Sequence, residues 1–166
     1  MLLTEHSVQL ATGEHTTFEV DESIPYGVAV LIVEPNGTVN LTRQYRYAID
    51  RWIYDLPGGA GNPGEDPASA AARESREETG LEPVELVHLH TFYPNPGRSA
   101  WPVHLYFATT STRHAPDTSD PSEQVSHVTM TVDELDTLIR RGEVVDPGLL
   151  IARSFAGIRG LIPALK

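Results

Sequence analysis

Two hydrophobic periods alternate along the chain. Gly27–Val33, GVAVLIV, is an unbroken apolar run, which predicts a central strand buried on both faces. Before it, residues 8–10 and 18–20 alternate around Thr12-Gly13 and predict a hairpin, the N-terminal element of residues 1–24. After a turn at Pro35-Asn36-Gly37, residues 38–47 alternate again, with Val39, Leu41, Arg43 and Tyr45 on one face and Thr42, Gln44 and Arg46 on the other. Residues 52–59, 84–91, 103–109 and 125–130 read as further strands, and residues 110–122, rich in Thr, Ser, Asp and Pro, as a surface loop. In the strand over residues 84–91, His88 and His90 are expected to share a face; a zinc pair is conceivable, but two histidines without a third ligand read more simply as strand residues.

Three segments change to the helical period. Asp66 before Pro67 is an N-cap with proline at the first helical position, and Gly80 is the glycine that closes a helix, so Pro67–Thr79 is predicted helical. Thr131 with Glu134 three residues on is a capping box, opening a helix to Arg141 before Gly142. Asp146-Pro147 starts a last helix ending near Gly157, and the apolar tail over residues 160–165 packs or frays. The alternation of strands and helices gives an α/β class.

The first helix carries the chemistry. At about 100° per residue, Glu74, Glu77 and Glu78 fall within an arc of roughly 100°, beside a face of small residues (Ala68, Ala71, Ala72, Ser75, Thr79) able to approach a sheet. Like charges at this spacing weaken an isolated helix and call for a compensating cation. With oxygen ligands and no cysteine, that cation would be hard and divalent, Mg²⁺ or Mn²⁺. A solvated acidic face is the simpler explanation of a charge run.

Composition narrows the classes. The 166 residues, 40% hydrophobic and 21% charged, suit a single domain over residues 1–166. Neither a basic start nor a long apolar run marks a signal peptide or membrane span, so a cytoplasmic protein is expected. Zero cysteines exclude disulfides, thiolate metal sites and a cysteine nucleophile. A net charge of −11 argues against nucleic acid or an anionic membrane surface as partner. It would also repel a phosphate substrate, unless metal ions and local arginines reverse the field at the site.

From Gly59 to Leu81 the fixed points are Gly59, Glu65, Arg73, Glu74, Glu77, Glu78 and Gly80, with Leu81 after them. Seven fixed identities would recur by chance in such a chain with a probability on the order of 10⁻⁶, which sets the solvated face aside. This stretch resembles the signature box of the Nudix hydrolases, enzymes acting on nucleoside diphosphates linked to another group. The resemblance implies an α/β/α sandwich with a mixed sheet between helices, and divalent-metal dependence. It implies metal binding by Glu74, Glu77, Glu78 and the Gly58 carbonyl, with Arg73 orienting Glu77 and Glu65 supporting from behind. Ser75 departs from the usual aliphatic residue, from which weaker packing is expected.

Three further features resemble the ADP-ribose and ADP-sugar pyrophosphatase branch. One is Arg43-Gln44-Tyr45-Arg46; another is Pro96-Gly97, at the branch's spacing after the box; the third is Glu123, at the end of the long loop, where the branch has a glutamate that activates water or binds metal. Arg43, Arg46 and Arg98 are the candidate phosphate contacts, Arg46 the better of the first two, because a guanidinium fork holds two oxygens at once. Trp52 is a candidate nucleobase platform, with core or interface as the alternative. Asp55 stands where these enzymes usually carry glutamate, and Trp101 near a position where they commonly carry another. The resemblance also implies a homodimer through the N-terminal hairpin. The expected activity is hydrolysis of a nucleoside diphosphate sugar, ADP-ribose leading, with Glu123 or else Glu77 taking the proton. Another nucleoside diphosphate derivative and a non-catalytic nucleotide-sugar sensor stand as alternatives.

Overall fold

In the computed structural model, residues 2–109, 111–114 and 125–165 are described. The N-terminal hairpin is present and longer than its apolar alternation suggests: β1 (Leu3–Gln9) pairs antiparallel with β2 (His15–Asp21). Its end is tied to the body, where the Asp21 N–H donates to the Arg98 carbonyl at 2.7 Å and the Ala100 N–H donates back to the Asp21 carbonyl at 3.3 Å.

The chain continues through β3 (Gly27–Val33), β4 (Thr38–Arg46), β5 (Arg51–Asp55), β6 (Gly58–Ala60), α1 (Pro67–Thr79), β7 (Leu81–Pro83), β8 (Val87–Phe92), β9 (Val103–Ala108), β10 (Ser111–Arg113), β11 (Val125–Thr131), α2 (Val132–Arg140) and α3 (Pro147–Ile158). The main sheet runs β11-β4-β3-β9-β8, with β5 added to β4 and β6 to β3. It is mixed: β3 and β9 are parallel, whereas β3–β4, β4–β11 and β8–β9 are antiparallel.

Helices cover both faces, as the α/β/α expectation requires. On one side Leu31, Val33, Val39, Leu41 and Leu105 pack with Leu135 of α2 and Leu149, Ala152 and Ala156 of α3. On the other, Val28, Val30, Ile32 and Tyr106 pack with Ala70 and Ala71 of α1. β3 therefore contributes to both cores, which is why its sequence has no polar alternation.

Ser75 does not loosen the packing of α1. It is fully buried, and its hydroxyl donates to the Leu81 carbonyl at 2.7 Å. Thr79 accepts from the Leu81 N–H at 3.1 Å, so two small polar side chains fasten the end of the helix to the next strand. A lost aliphatic contact is replaced by satisfied buried hydrogen bonds.

Four sequence expectations are corrected. The strand over residues 52–59 is two, because the chain breaks at Leu56-Pro57 and β6 leaves β4 to pair with β3. The strand over residues 84–91 begins only at Val87, since Leu81–Pro83 is taken up by pairing with β10. β10 in turn lies inside what reads as loop. Finally, a register shift between His88 and His90 turns the two histidines to opposite faces. His88 meets His104 and Tyr106, while His90 stacks on Phe155 of α3 at 4.2 Å, so no histidine pair forms.

Candidate active site

The signature stretch folds around one guanidinium. Asp66 caps α1 by accepting from the Ser69 N–H, and nearly two turns inside the helix Arg73 reaches back over the loop that precedes it. Arg73 Nε donates to Glu65 Oε1 at 3.0 Å and Nη2 to Glu65 Oε2 at 3.1 Å, a bidentate clamp. Its Nη1 donates to Glu74 Oε1 at 2.7 Å and to Glu77 Oε2 at 3.2 Å, and Nη2 also reaches the Ala60 carbonyl at 3.2 Å. Hydrogen bonds from Arg73, then from the Asn62 backbone N–H, hold the Glu65 carboxyl down at about 2. The same contacts, Glu65 foremost, push the Arg73 guanidinium further toward its charged form.

Glu78 faces the other way. It accepts from the Gly58 N–H at 2.9 Å and from Gln44 Nε2 at 3.2 Å, which joins α1 to the glycine loop and to β4. The two glycines of that loop are required by close approach. A Cβ on Gly58 would stand 2.2 Å from the Val28 carbonyl oxygen, and one on Gly59 would stand 2.5 Å from Glu74 Oε2. Glycine at position 59 is what leaves room for the Glu74 carboxylate.

Among the described residues no three Asp, Glu or His side chains converge as a metal-binding group. Arg73 instead draws Glu74 and Glu77 toward itself, supplying the compensating positive charge that their helical spacing demands. The donor set still suits a hard divalent ion: it is all oxygen, it lies on one helix face, and the space beside Glu74 is kept open by Gly59.

Against Gly58 and Gly59 opens a cleft of about 310 Å³, at the small end of ligand pockets. Ile24, Phe92, Pro94, Trp101, Val103 and Leu105 form apolar walls, and Arg46, Asp55 and Asp146 form a polar end. Arg46 Nη2 donates to Asp55 Oδ2 at 2.6 Å, and the other Asp55 oxygen accepts from the Leu56 N–H at 2.8 Å. Asp146 caps α3 by accepting from the Leu149 N–H at 2.6 Å, and it lies against Asp55. Burial pushes the Asp146 carboxyl up to about 7, and the charge of Asp55 adds to the rise against the opposing pull of the Leu149 N–H and Arg46.

The structure thus gathers Arg73, Glu74, Glu77, Glu78 and Gly58, and sets Arg46 in the adjoining cleft. Other candidates lie elsewhere. The Arg43 guanidinium sits 5.5 Å over the Trp52 ring, and neither residue lines the cleft. Arg98 pairs with Glu19 of the hairpin at 3.7 Å and does not line it either. Glu123 lies outside the described residues. The sequence reading missed Asp146, which announces itself only as a helix cap. Its approach to Asp55 is a tertiary event with no local signal.

A carboxylate-rich helix with a glycine loop against it, set in an α/β/α sandwich, is the arrangement that the resemblance of the signature stretch implies. A family model described as the NUDIX domain matches residues 24–150. The chain belongs to that family and is a Nudix hydrolase related to the ADP-ribose pyrophosphatases. It is 29% identical over 160 residues to the ADP-ribose pyrophosphatase of Bacillus subtilis, covering 96% of this chain and 86% of that one. It is 31% identical over 146 residues to the methanol dehydrogenase activator of Bacillus methanolicus, covering 87% and 78%. A third relative is the CMP-5'-(N-acetyl-N-hydroxy-3-aminopropyl)phosphonate hydrolase of Streptomyces rubellomurinus. It is 34% identical over 126 residues, 75% of this chain, and the match spans 61% of the relative's length. A crystal structure of an ADP compounds hydrolase superposes with a TM-score of 0.73 at 19% identity, covering 96% of this chain and 88% of that chain, a likeness of fold.

Proposed function

We propose that the protein hydrolyses the diphosphate of a nucleoside diphosphate sugar, with ADP-ribose giving AMP and ribose 5-phosphate as the leading case. The observation that carries the reading is the placing of Glu74 and Glu77 on Arg73 and of Glu78 on the Gly58 N–H, beside the Gly58-Gly59 loop and its cleft. In the reaction water adds to one phosphorus, the bridging P–O bond breaks, and two phosphate monoesters leave. Glu74, Glu77, Glu78 and the Gly58 carbonyl would hold Mg²⁺ or Mn²⁺. Bound there, such an ion supplies charge neutralisation of the diphosphate and acidification of water.

The chain's own residues do the rest. Arg73 fixes Glu74 and Glu77 in place while Glu65 fixes Arg73, so each acid reaches the reaction already oriented. Glu123 is the proposed proton acceptor, with Glu77 in that role if the loop lies elsewhere. Arg46, only partly neutralised by Asp55, is the proposed phosphate contact in the cleft. Arg43 and Arg98 are proposed as further phosphate contacts outside it, and Trp52 as the platform on which the nucleobase stacks. A cytoplasmic homodimer belongs to the same proposal; the exposed Leu3, Val8, Leu10 and Phe18 of the hairpin support the pairing.

A second reading keeps the chemistry and changes the substrate to another nucleoside diphosphate derivative. Trp101 favours it, because it lines the cleft near a position where ADP-ribose enzymes commonly carry an acid. Product analysis on ADP-ribose, GDP-mannose, UDP-glucose and nucleoside triphosphates with Mg²⁺ and Mn²⁺ tests both. Cleavage of ADP-ribose ahead of the others supports the first, preference for another diphosphate supports the second, and no turnover of any member overturns both.

A further inference from the structure

The lining of the cleft combines two chemistries. Part of it is hydrocarbon and aromatic, with Phe92, Pro94 and Trp101, and at one end Arg46, Asp55 and Asp146 present two carboxyl groups and one guanidinium. Arg46 is engaged by Asp55, and Asp146 adds a second acid beside that pair. Beyond the phosphate proposed for Arg46, a further phosphate at this end would meet two acids against one cation. The groups on offer instead suit a ligand that is polar and uncharged, and that both donates and accepts hydrogen bonds. A hydroxyl does both, and a sugar ring combines hydroxyls at its edge with C–H faces that lie well on an aromatic ring.

Resting on the reading of the site as one for nucleoside diphosphate sugars, we propose that this cleft is the sugar subsite. Trp101 is its platform, and Asp146, supported by Asp55 and Arg46, is the residue that holds the sugar's hydroxyls. The nucleoside then lies on the other side of the glycine loop. A nucleobase is the poorer occupant, since its flat faces would lie beside a mixed acid–guanidinium cluster. Specificity for the sugar is accordingly set by two residues far apart in sequence, neither belonging to the signature stretch. Asp146 doubles as the cap of α3 through the Leu149 N–H, so the helix fixes its position before any ligand arrives.

Binding of the two expected products, measured separately by NMR titration with Mg²⁺ present, tests this without turnover. Ribose 5-phosphate and AMP are titrated into the wild type, Trp101→Ala and Asp146→Ser, the serine keeping a capping oxygen while removing the carboxyl. Both variants are expected to bind ribose 5-phosphate about tenfold more weakly and AMP within about twofold of the wild type. Trp101→Phe and Asp146→Asn, which keep the ring and the hydrogen-bonding group, are expected to restore most of the affinity, and thermal midpoints confirm folding. Unchanged sugar phosphate binding in both variants overturns the proposal, as does weakened AMP binding alone or a wild type that does not bind the sugar phosphate. Turnover of the substrate panel is scored apart. Hydrolysis without these binding differences removes the sugar subsite and leaves the enzyme; the binding differences without hydrolysis do the reverse.

Discussion

Two acid clusters flank the glycine loop, and they are built in opposite ways. On the α1 side Glu65, Glu74 and Glu77 share Arg73, and hydrogen bonds hold Glu65 at about 2. On the cleft side Asp55 engages Nη2 of Arg46, and the half-buried Asp146 rises to about 7. Residue type does not decide a carboxyl's charge at neutral pH; the ratio of donors to acids and the access of water do. The first cluster sets three acids on one guanidinium, with Glu65 held in its charged form, and the second mixes donors with acceptors. That is the division expected between a surface that gathers cations and one that grips a neutral ring.

The comparison can be broken at each side. Removing the shared cation should have the largest effect on activity: Arg73→Met leaves three acids without their clamp, and kcat on the preferred diphosphate should fall by about a hundredfold. A fall below threefold in steady-state assays would mean that Arg73 does not orient the glutamates. Next comes Gly59→Ala, whose Cβ would displace the Glu74 carboxylate. We expect about a tenfold loss of kcat with a thermal midpoint within a few degrees of wild type, and an unfolded or fully active variant would contradict the contact.

The pH dependence of stability should separate the clusters by sign. Glu65 has a folded value below its unfolded one, so its contribution is present above about pH 4 and is lost as pH falls toward about 2. Asp146 is the reverse. Its folded value lies above the unfolded one, so it subtracts stability as pH rises from about 4 to about 7 and changes nothing beyond. Urea titrations across that range should show the decline in the wild type and a flatter profile in Asp146→Asn; equal slopes would place Asp146 in water. The smallest effect is expected from Asp55→Asn. It removes the second cause of the Asp146 shift, so the carboxyl titration followed by ¹³C NMR should move below about 7 yet stay above the usual aspartate range, because burial is the first cause. No movement would show that Asp55 is not its neighbour.

How much of this was legible in the sequence depended on how local the cause was. α1 was readable in full, because Asp66, Pro67 and Gly80 mark its ends through contacts within a turn. β3 was readable because burial on both faces erases polar alternation. The clustering of Glu74, Glu77 and Glu78 followed from helical spacing, although the sequence did not disclose how fully Arg73 would enclose two of them. The bulge that separates His88 from His90 was not legible, since a one-residue shift leaves no mark in a run of strand-like residues. Nor was β10, whose reason to exist is its partner Leu81–Pro83. Asp55 and Asp146 each had a local explanation, one as a substitution in a strand and the other as a cap, and their meeting depends on α3 docking across the sheet. The grouping of side chains on one helix was therefore visible in advance, and the cleft assembled from several elements was not.

The central claim is that the α1 glutamates make this chain a diphosphate hydrolase. Glu78→Gln tests it most directly, because glutamine keeps the size of the side chain and an oxygen to accept from the Gly58 N–H while losing the charge. The account predicts that kcat for the preferred nucleoside diphosphate sugar, measured with saturating Mg²⁺ by release of phosphate monoesters, falls by about a hundredfold or more while the thermal midpoint stays within a few degrees. A folded Glu78→Gln protein with wild-type turnover would contradict it.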